Sequence, residues 1–387
     1  MTISDYEVVK YDPSLLDDVL RLEIHLWGDN AEINRRYFEW KYEQNPYVQE
    51  PLIYVVLHRG TPVAVRGMHG ALWEVGPGGE RSTMLCAGDT VVAPAHRGRG
   101  LFRLVTNAAL SDLRQQGHEY VLNFGAGQTA RLLSLRSGWE RISPYRIMAR
   151  HTSPFRHPVV TKVLRRPWVL RLRRTRAALA GLRKRNGNSR EEWSPFRAFD
   201  STAEQGGQKA LQCLSFAKDP RPEDMAGLAA RRSTSHRIRH VRGPEYFGWR
   251  FRNPLSRYRF VYWDDGRLEG YLVLEVYSAT PAKTVHLVDW EYSDEETAYH
   301  MLRAAIRVGE FPVIESWSIS LDEKTRDVLH RCGFRDVEEP DTKLHPAAGP
   351  LITTVSKPQP TSEWSLGGLD LLDTENWELR MIYSDEY

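Results

Sequence analysis

The stretch of this chain best suited to chemistry runs from Val91 through Val92, Ala93, Pro94, Ala95, His96, Arg97, Gly98, Arg99, Gly100 and Leu101 to Phe102. The apolar residues before Pro94 predict a strand, and the amphipathic pattern after Gly100 predicts a helix. Glycines at 98 and 100 let backbone come close to a ligand. The opening turn of a helix offers unpaired N–H groups at the positive end of its dipole, so this junction suits a diphosphate. Arg97 and Arg99 add full positive charges. A bare Arg-Gly-Arg-Gly reads equally well as a solvated surface turn. The strand before it and the helix after it favour the anion loop. There is no GxxxxGK[ST] sequence, and the loop follows the fourth strand rather than the first, which sets aside the P-loop and the dinucleotide fold.

The elements that must hold this loop repeat along the chain. From the start, the order is strand, two helices, three strands, helix, strand, helix and closing strands, which predicts a mixed sheet with helices on both faces within about 150 residues. Beyond residue 195 the order begins again, with a helix expected around QKALQCLSFA and terminal strands at ITTVSK and NWELRMIYS. Two echoes support duplication. Tyr37-Phe38-Glu39-Trp40-Lys41-Tyr42 before Asn45-Pro46 matches Tyr246-Phe247-Gly248-Trp249-Arg250-Phe251 before Asn253-Pro254, and Arg136-Ser137-Gly138-Trp139 matches Arg331-Cys332-Gly333-Phe334. The expected division is 1–150, a basic linker at 151–194, and 195–387. A chain of 387 residues with 41 % hydrophobic residues and 12 Trp has ample material for two cores and is too rich in bulky apolar groups to be disordered.

The architecture is α/β, and residues 84–139 resemble the core of the GCN5-related N-acetyltransferases, whose pyrophosphate loop reads Arg/Gln-x-x-Gly-x-Gly/Ala after strand four. Gly98 and Gly100 match its glycines, whereas Ala95 stands at its first position. The whole chain is similar to bacterial tandem proteins of this superfamily. The resemblance implies two acetyltransferase-type folds, each a mixed, mostly antiparallel sheet flanked by helices. It implies acetyl-CoA or another acyl-CoA as co-substrate, held by Val91, Val92, Arg97, Gly98, Arg99, Gly100, Leu101 and Phe102, with Asn123 and Gln128 bordering the pantetheine arm. The second copy has Asp289-Trp290-Glu291-Tyr292-Ser293-Asp294-Glu295-Glu296 in the matching place, with no glycine and five acids that would repel a diphosphate, so it reads as degenerate.

Acyl transfer to an amine needs a neutral amine, a stabilised carbonyl oxygen and a proton for the departing thiolate. Asp89 is the carboxylate on the strand before the loop, where the family often has an acid; it reads equally as a base and as a strand-end acid bound to backbone. The family's tyrosine acid falls on Ser134. Tyr145 is the candidate replacement and His69 a third candidate, although a half-buried strand tyrosine and a lone strand histidine are more often structural. Cys86, Cys213 and Cys332 are widely spaced, with no CxxC or histidine at ligand spacing, so neither a disulfide framework nor a metal site is expected.

Charge is concentrated in one place. Residues 156–185 carry eleven Lys and Arg among Val, Leu and Trp168, while the rest of the chain has more acids than bases. Packing of the apolar positions on the protein is the favoured reading, followed by peripheral contact with an anionic membrane, with nucleic acid third because a basic patch carries no base-reading geometry. No apolar run reaches the roughly 18 residues of a spanning helix, and the N-terminus has acids where a signal peptide would be apolar. A cytoplasmic protein is expected, with membrane association and homodimerisation left open. The resulting expectation is an acyl-CoA-dependent N-acyltransferase acting on a small-molecule primary amine such as an amino sugar or an amino-acid-like metabolite, within glycoconjugate or secondary-metabolite chemistry. The alternatives are an aminoacyl-tRNA-dependent peptidyl transferase of the same tandem fold and a non-catalytic module with a vestigial loop.

Overall fold

The computed structural model describes residues 5–76, 78–125, 127–152, 196, 199–201, 213–232, 236–278, 284–309, 311–337, 349–355 and 364–384. The basic stretch 156–185 and most of the expected linker lie outside these residues.

The first half contains β1 (Tyr6–Lys10), α1 (Leu16–Trp27), α2 (Ala31–Phe38), β2 (Leu52–His58), β3 (Thr61–Val75), β4 (Arg81–Val92), α3 (Leu101–Gln115), β5 (Tyr120–Asn123), α4 (Gln128–Leu135), β6 (Glu140–Arg141) and β7 (Ile147–His151). The second contains β8 (Leu214–Ala217), α5 (Pro222–Arg232), β9 (Ile238–His240), α6 (Pro244–Arg250), β10 (Ser256–Asp264), β11 (Leu268–Tyr277), β12 (Thr284–Tyr292), α7 (Glu295–Gly309), β13 (Val313–Trp317), α8 (Glu323–Arg331), β14 (Arg335–Asp336) and β15 (Leu351–Thr354).

The two main sheets run β1-β2-β3-β4-β5-β15-β6 and β8-β10-β11-β12-β13-β7-β14. Along these seven-strand paths the orders correspond strand for strand, with one exchange, and the first sheet also takes β9 on β3 and Trp377–Glu378 on β9. The strand that closes the first half's sequence, β7, pairs with β13 of the second sheet, and β15 pairs with β5 of the first. Ile147–His151, across the expected boundary at residue 150, thus belongs to the second sheet, and Leu351–Thr354 to the first. Two sequence expectations are corrected. Residues 214–217 of QKALQCLSFA form an edge strand on β10, because the Leu-Ser-Phe-Ala alternation meets an open sheet edge there. NWELRMIYS holds a two-residue strand, Trp377–Glu378, and a 3-10 turn at Met381–Tyr383 in place of one long strand. The second helix ends in a π-helical turn, Glu39–Glu43, whose wider winding buries Trp40, Lys41 and Tyr42 in succession.

Both sequence echoes have structural causes. The Oδ1 atoms of Asn45 and Asn253 each accept the backbone N–H two residues ahead, at 2.9 and 3.0 Å, turning the chain away from the helix. Gly138 and Gly333 have φ of 86° and 90°, left-handed positions that end α4 and α8, and the aromatic that follows each is buried. At the seam the Trp40 and Trp249 indoles stack at 5.0 Å and 9°, each N–H donating to the other's carbonyl. One face of the first sheet packs on α3 through Leu85, Ala87, Val105, Ala109 and Val121, while Trp73, Met84, Cys86 and Leu122 belong to the core shared with the second half.

Candidate acyl-donor site

Parallel β4 and β5 are in register only at Leu85↔Val121 and Cys86↔Leu122. β5 ends at Asn123 while β4 continues to Val92, and beside its free end lies a cavity of about 800 Å³. Its wall is built from Thr90, Val91 and Val92, from Arg97, Gly98 and Gly100 of the loop, from Leu101, Phe102 and Arg103 of α3, from the α4 side, and from His25 and Leu26 of α1. The lining contains cations and no carboxylate among the described residues.

The loop turns at Gly98 (φ 74°) and Gly100 (φ 78°), and Gly100 caps α3 with no side chain on its first-turn amides. A Cβ at Gly98 would meet no protein atom within 4 Å, so the space above it is open to a ligand. Arg97 Nε donates to Val92 O at 3.1 Å, which ties the loop to the end of β4. Arg99 reaches the other way, to Tyr6 OH at 3.1 Å and Ala95 O at 3.2 Å, and does not line the cavity. In the second half the matching helix, α7, is capped by its own chain: Asp294 Oδ1 accepts Thr297 N–H at 2.9 Å. The gap beyond β12 and β13 is also bridged there. Arg380 donates to Trp290 O and Asp289, and Leu379 N–H donates to Ser320 Oγ at 2.6 Å.

Among the other residues singled out from sequence, Asn123, Asp89, His69 and Tyr145 are not part of the lining. Asn123 is buried, its Oδ1 accepting Gly125 N–H at 3.2 Å. Gln128 opens α4. Asp89 sits at a bulge where two residues of β4, Gly88 and Asp89, face Gly67 of β3. The bulge turns Asp89 toward α1 and the π turn, where it accepts from Trp27 Nε1 at 3.1 Å and from Tyr42 OH and pairs with Lys41 Nζ at 2.8 Å. The two charged side chains are 0 % and 1 % exposed. Glu23 is buried beside them; desolvation, and then the Asp89 charge, push its carboxyl well above the ordinary range. The second half repeats the device: Asp289, fully buried on β12, pairs with Arg242 at 2.8 Å and Arg380 at 3.0 Å. Asp89 is not part of the cavity lining, and its buried pairing has this counterpart in the half whose helix start is capped.

His69 is buried opposite Cys86; nearby, burial first and then the Arg242 charge lower His240 to about 3. Tyr145 donates to Phe124 O, its ring 4.8 Å from that of Trp317, and burial raises its pKa. None of the three proton-transfer candidates reaches the cavity wall. Sequence reasoning missed His25, Leu26, Thr90, Arg103 and the α4 face. Ile24, Leu26, Leu132, Leu133 and Leu135 are exposed apolar side chains on α1 and α4, an irregularity in otherwise amphipathic helices that would have marked the cavity mouth.

No family model and no curated protein matches the chain. Among solved structures, a probable N-acyltransferase of Enterococcus faecalis V583 aligns with TM-score 0.55 at 12 % identity, over 91 % of this chain and 73 % of its own. GCN5-related N-acetyltransferases of Anabaena variabilis (TM-score 0.54, 10 % identity, 90 % and 73 % coverage) and Kribbella flavida (0.53, 13 %, 91 % and 72 %) align likewise. The chain thus has the GCN5-related acetyltransferase fold, and its own sheet topology carries that pattern twice.

Proposed function

We propose that this chain is an acyl-CoA-dependent N-acyltransferase with a single donor site, in the first half. The observation that carries the reading is the contrast between the two helix starts. The α3 amides and the loop glycines are uncovered beside a cationic cavity, whereas α7 is capped by Asp294 and its neighbourhood closed by Arg380. In this reading the pyrophosphate rests on the amides from Gly98 to Phe102, with Arg97 and Arg103 adding charge. The pantetheine arm follows Val92, Val91 and Thr90 into the gap beside β5. There a neutral primary amine attacks the thioester carbonyl, the new amide C–N bond forms as the C–S bond breaks, the nitrogen gives up one proton, and the departing CoA thiolate takes one up to leave as the free thiol. Acetyl is the acyl group proposed, and the acceptor a small-molecule amine.

Asp89, Lys41 and Tyr42 have a positioning role: they brace the bulge from behind and so fix the line of β4 on which the donor lies. Titration calorimetry with acetyl-CoA, followed by thiol-release assays over a panel of amines, tests the reading. One binding event, abolished by Gly100→Glu, is expected. No heat and no thiol release would leave a binding module with a vestigial loop.

A further inference from the structure

We infer that Arg66 is a recognition site for a carboxylate carried by one of the two substrates. The inference rests on the donor site proposed above. Arg66 lies on β3 opposite Thr90, on the α3 side of the sheet, and is 1 % exposed. Its Nη1 donates to Thr90 Oγ1, which in turn donates to Gly88 O. Its Nε and Nη2 have no partner, and it forms no ion pair, among the described residues. Asp89, whose charge favours the guanidinium, is committed to Lys41, Trp27 and Tyr42. Burial lowers the Arg66 pKa to about 10, which still leaves it charged at neutral pH.

A buried cation without a counter-ion is costly, and this one stands beside the positive end of α3. Nε–H and Nη2–H form one edge of the guanidinium, two parallel donors spaced for the two oxygens of a carboxylate. A thioester carbonyl or a hydroxyl offers a single acceptor atom and no charge. The rings of Phe102 and Trp139 each lie 5.9 Å from the guanidinium carbon and hold its plane. Thr90 and Phe102 also line the donor cavity, so the groups that fix Arg66 form the wall along which a bound acyl thioester runs. Trp139 Nε1 and Ser134 Oγ are further buried donors without a partner among the described residues, and Ser134 O accepts the Trp139 N–H. A carboxylate would supply acceptors for Arg66 Nε and Nη2 and offset the guanidinium charge.

The carboxylate has two possible sources, the acyl group or the acceptor, and two arms separate them. In the first, succinyl-CoA and acetyl-CoA are titrated against the wild-type chain, Arg66→Met and Arg66→Lys. If the acyl group carries the carboxylate, succinyl-CoA binds the wild type roughly ten- to hundredfold more tightly than acetyl-CoA. Arg66→Met abolishes that ratio, and Arg66→Lys, which keeps the charge but not the fork, restores part of it. In the second arm, acetyl-CoA-saturated protein is titrated with L-lysine and with its decarboxylated counterpart cadaverine; a preference for lysine that Arg66→Met removes assigns the carboxylate to the acceptor. Thermal melts accompany both, because replacing an unpaired buried cation by Met preserves or raises stability, whereas a purely structural arginine would lower it. Equal binding within both pairs, or a preference that survives Arg66→Met, overturns the assignment while leaving the donor site intact. Failure of every thioester to bind overturns the donor site and this assignment together.

Discussion

Asp89→Asn separates a structural from a chemical role for the most conspicuous carboxylate near the loop. The substitution keeps one of the two acceptor oxygens that Trp27 and Tyr42 use, replaces the other with an amide NH2, and removes the negative charge 2.8 Å from Lys41 Nζ. Lys41 is 1 % exposed, so water cannot take over, and breaking a buried pair from one side costs about 3–5 kcal/mol. That is a large part of the roughly 5–15 kcal/mol that holds a domain together. Neutralising the partner as well, in Lys41→Met with Asp89→Asn, should recover much of the loss, giving a coupling of about 1–3 kcal/mol in a double-mutant cycle. Urea unfolding of the four proteins measures this, with acetyl-CoA calorimetry as a parallel readout of the β4 bulge. If Asp89→Asn is as stable as the wild type while turnover collapses, or if the two substitutions are additive, the bracing role is wrong and Asp89 belongs to the chemistry.

Gly100→Glu should abolish measurable acetyl-CoA binding in calorimetry, since it places a carboxylate on the anion loop, while the left-handed φ of 78° costs the fold only about 1–2 kcal/mol. Burial, and then the Asp89 charge, push the Glu23 carboxyl well above its ordinary range, so as pH rises the folded chain releases this proton later than the unfolded chain does. Stability from this group is therefore present at acid pH and falls as pH rises toward its raised pKa. Thermal melts from pH 5 to 8 should show Glu23→Gln gaining on the wild type as pH increases, and parallel curves would refute this. Trp40→Ala and Trp249→Ala should each cost about 3–5 kcal/mol in urea unfolding. The pair should cost less than the sum, because either alone removes the whole stack, while each removes only the hydrogen bond that its own indole donates to the other's backbone carbonyl; additivity would show that the two indoles pack independently.

The loop was legible because it is local: a strand, two glycines at fixed spacing and a helix can be read from adjacent residues, as can the duplicated Asn-Pro and Gly-aromatic turns. What was not legible depends on contacts distant in sequence. Residues 214–217 are a strand because β10 offers an edge. Asp89 faces away from the donor because a bulge rotates it, and the partner that neutralises it, Lys41, is buried only because a π turn adds a residue to the winding. Arg66 reads in sequence as one more charge between Val65 and Gly67. Only its enclosure by Thr90, Phe102 and Trp139 gives it meaning.

The crossing of β7 and β15 sets a timetable for biosynthesis. β6 reaches β5 only through β15, a strand drawn from the far end of the chain. A nascent chain that has emerged through β7 therefore holds an unfilled slot beside β5 and an unmated β7, which wait for β15 and for β13 respectively. Loop-closure entropy of this kind slows folding and leaves sheet edges exposed in the interim. Once closed, each half is fastened by a strand that the other half's sequence encodes. Unfolding should then proceed as one transition, and limited proteolysis that severs the two sequence halves should leave them bound to one another.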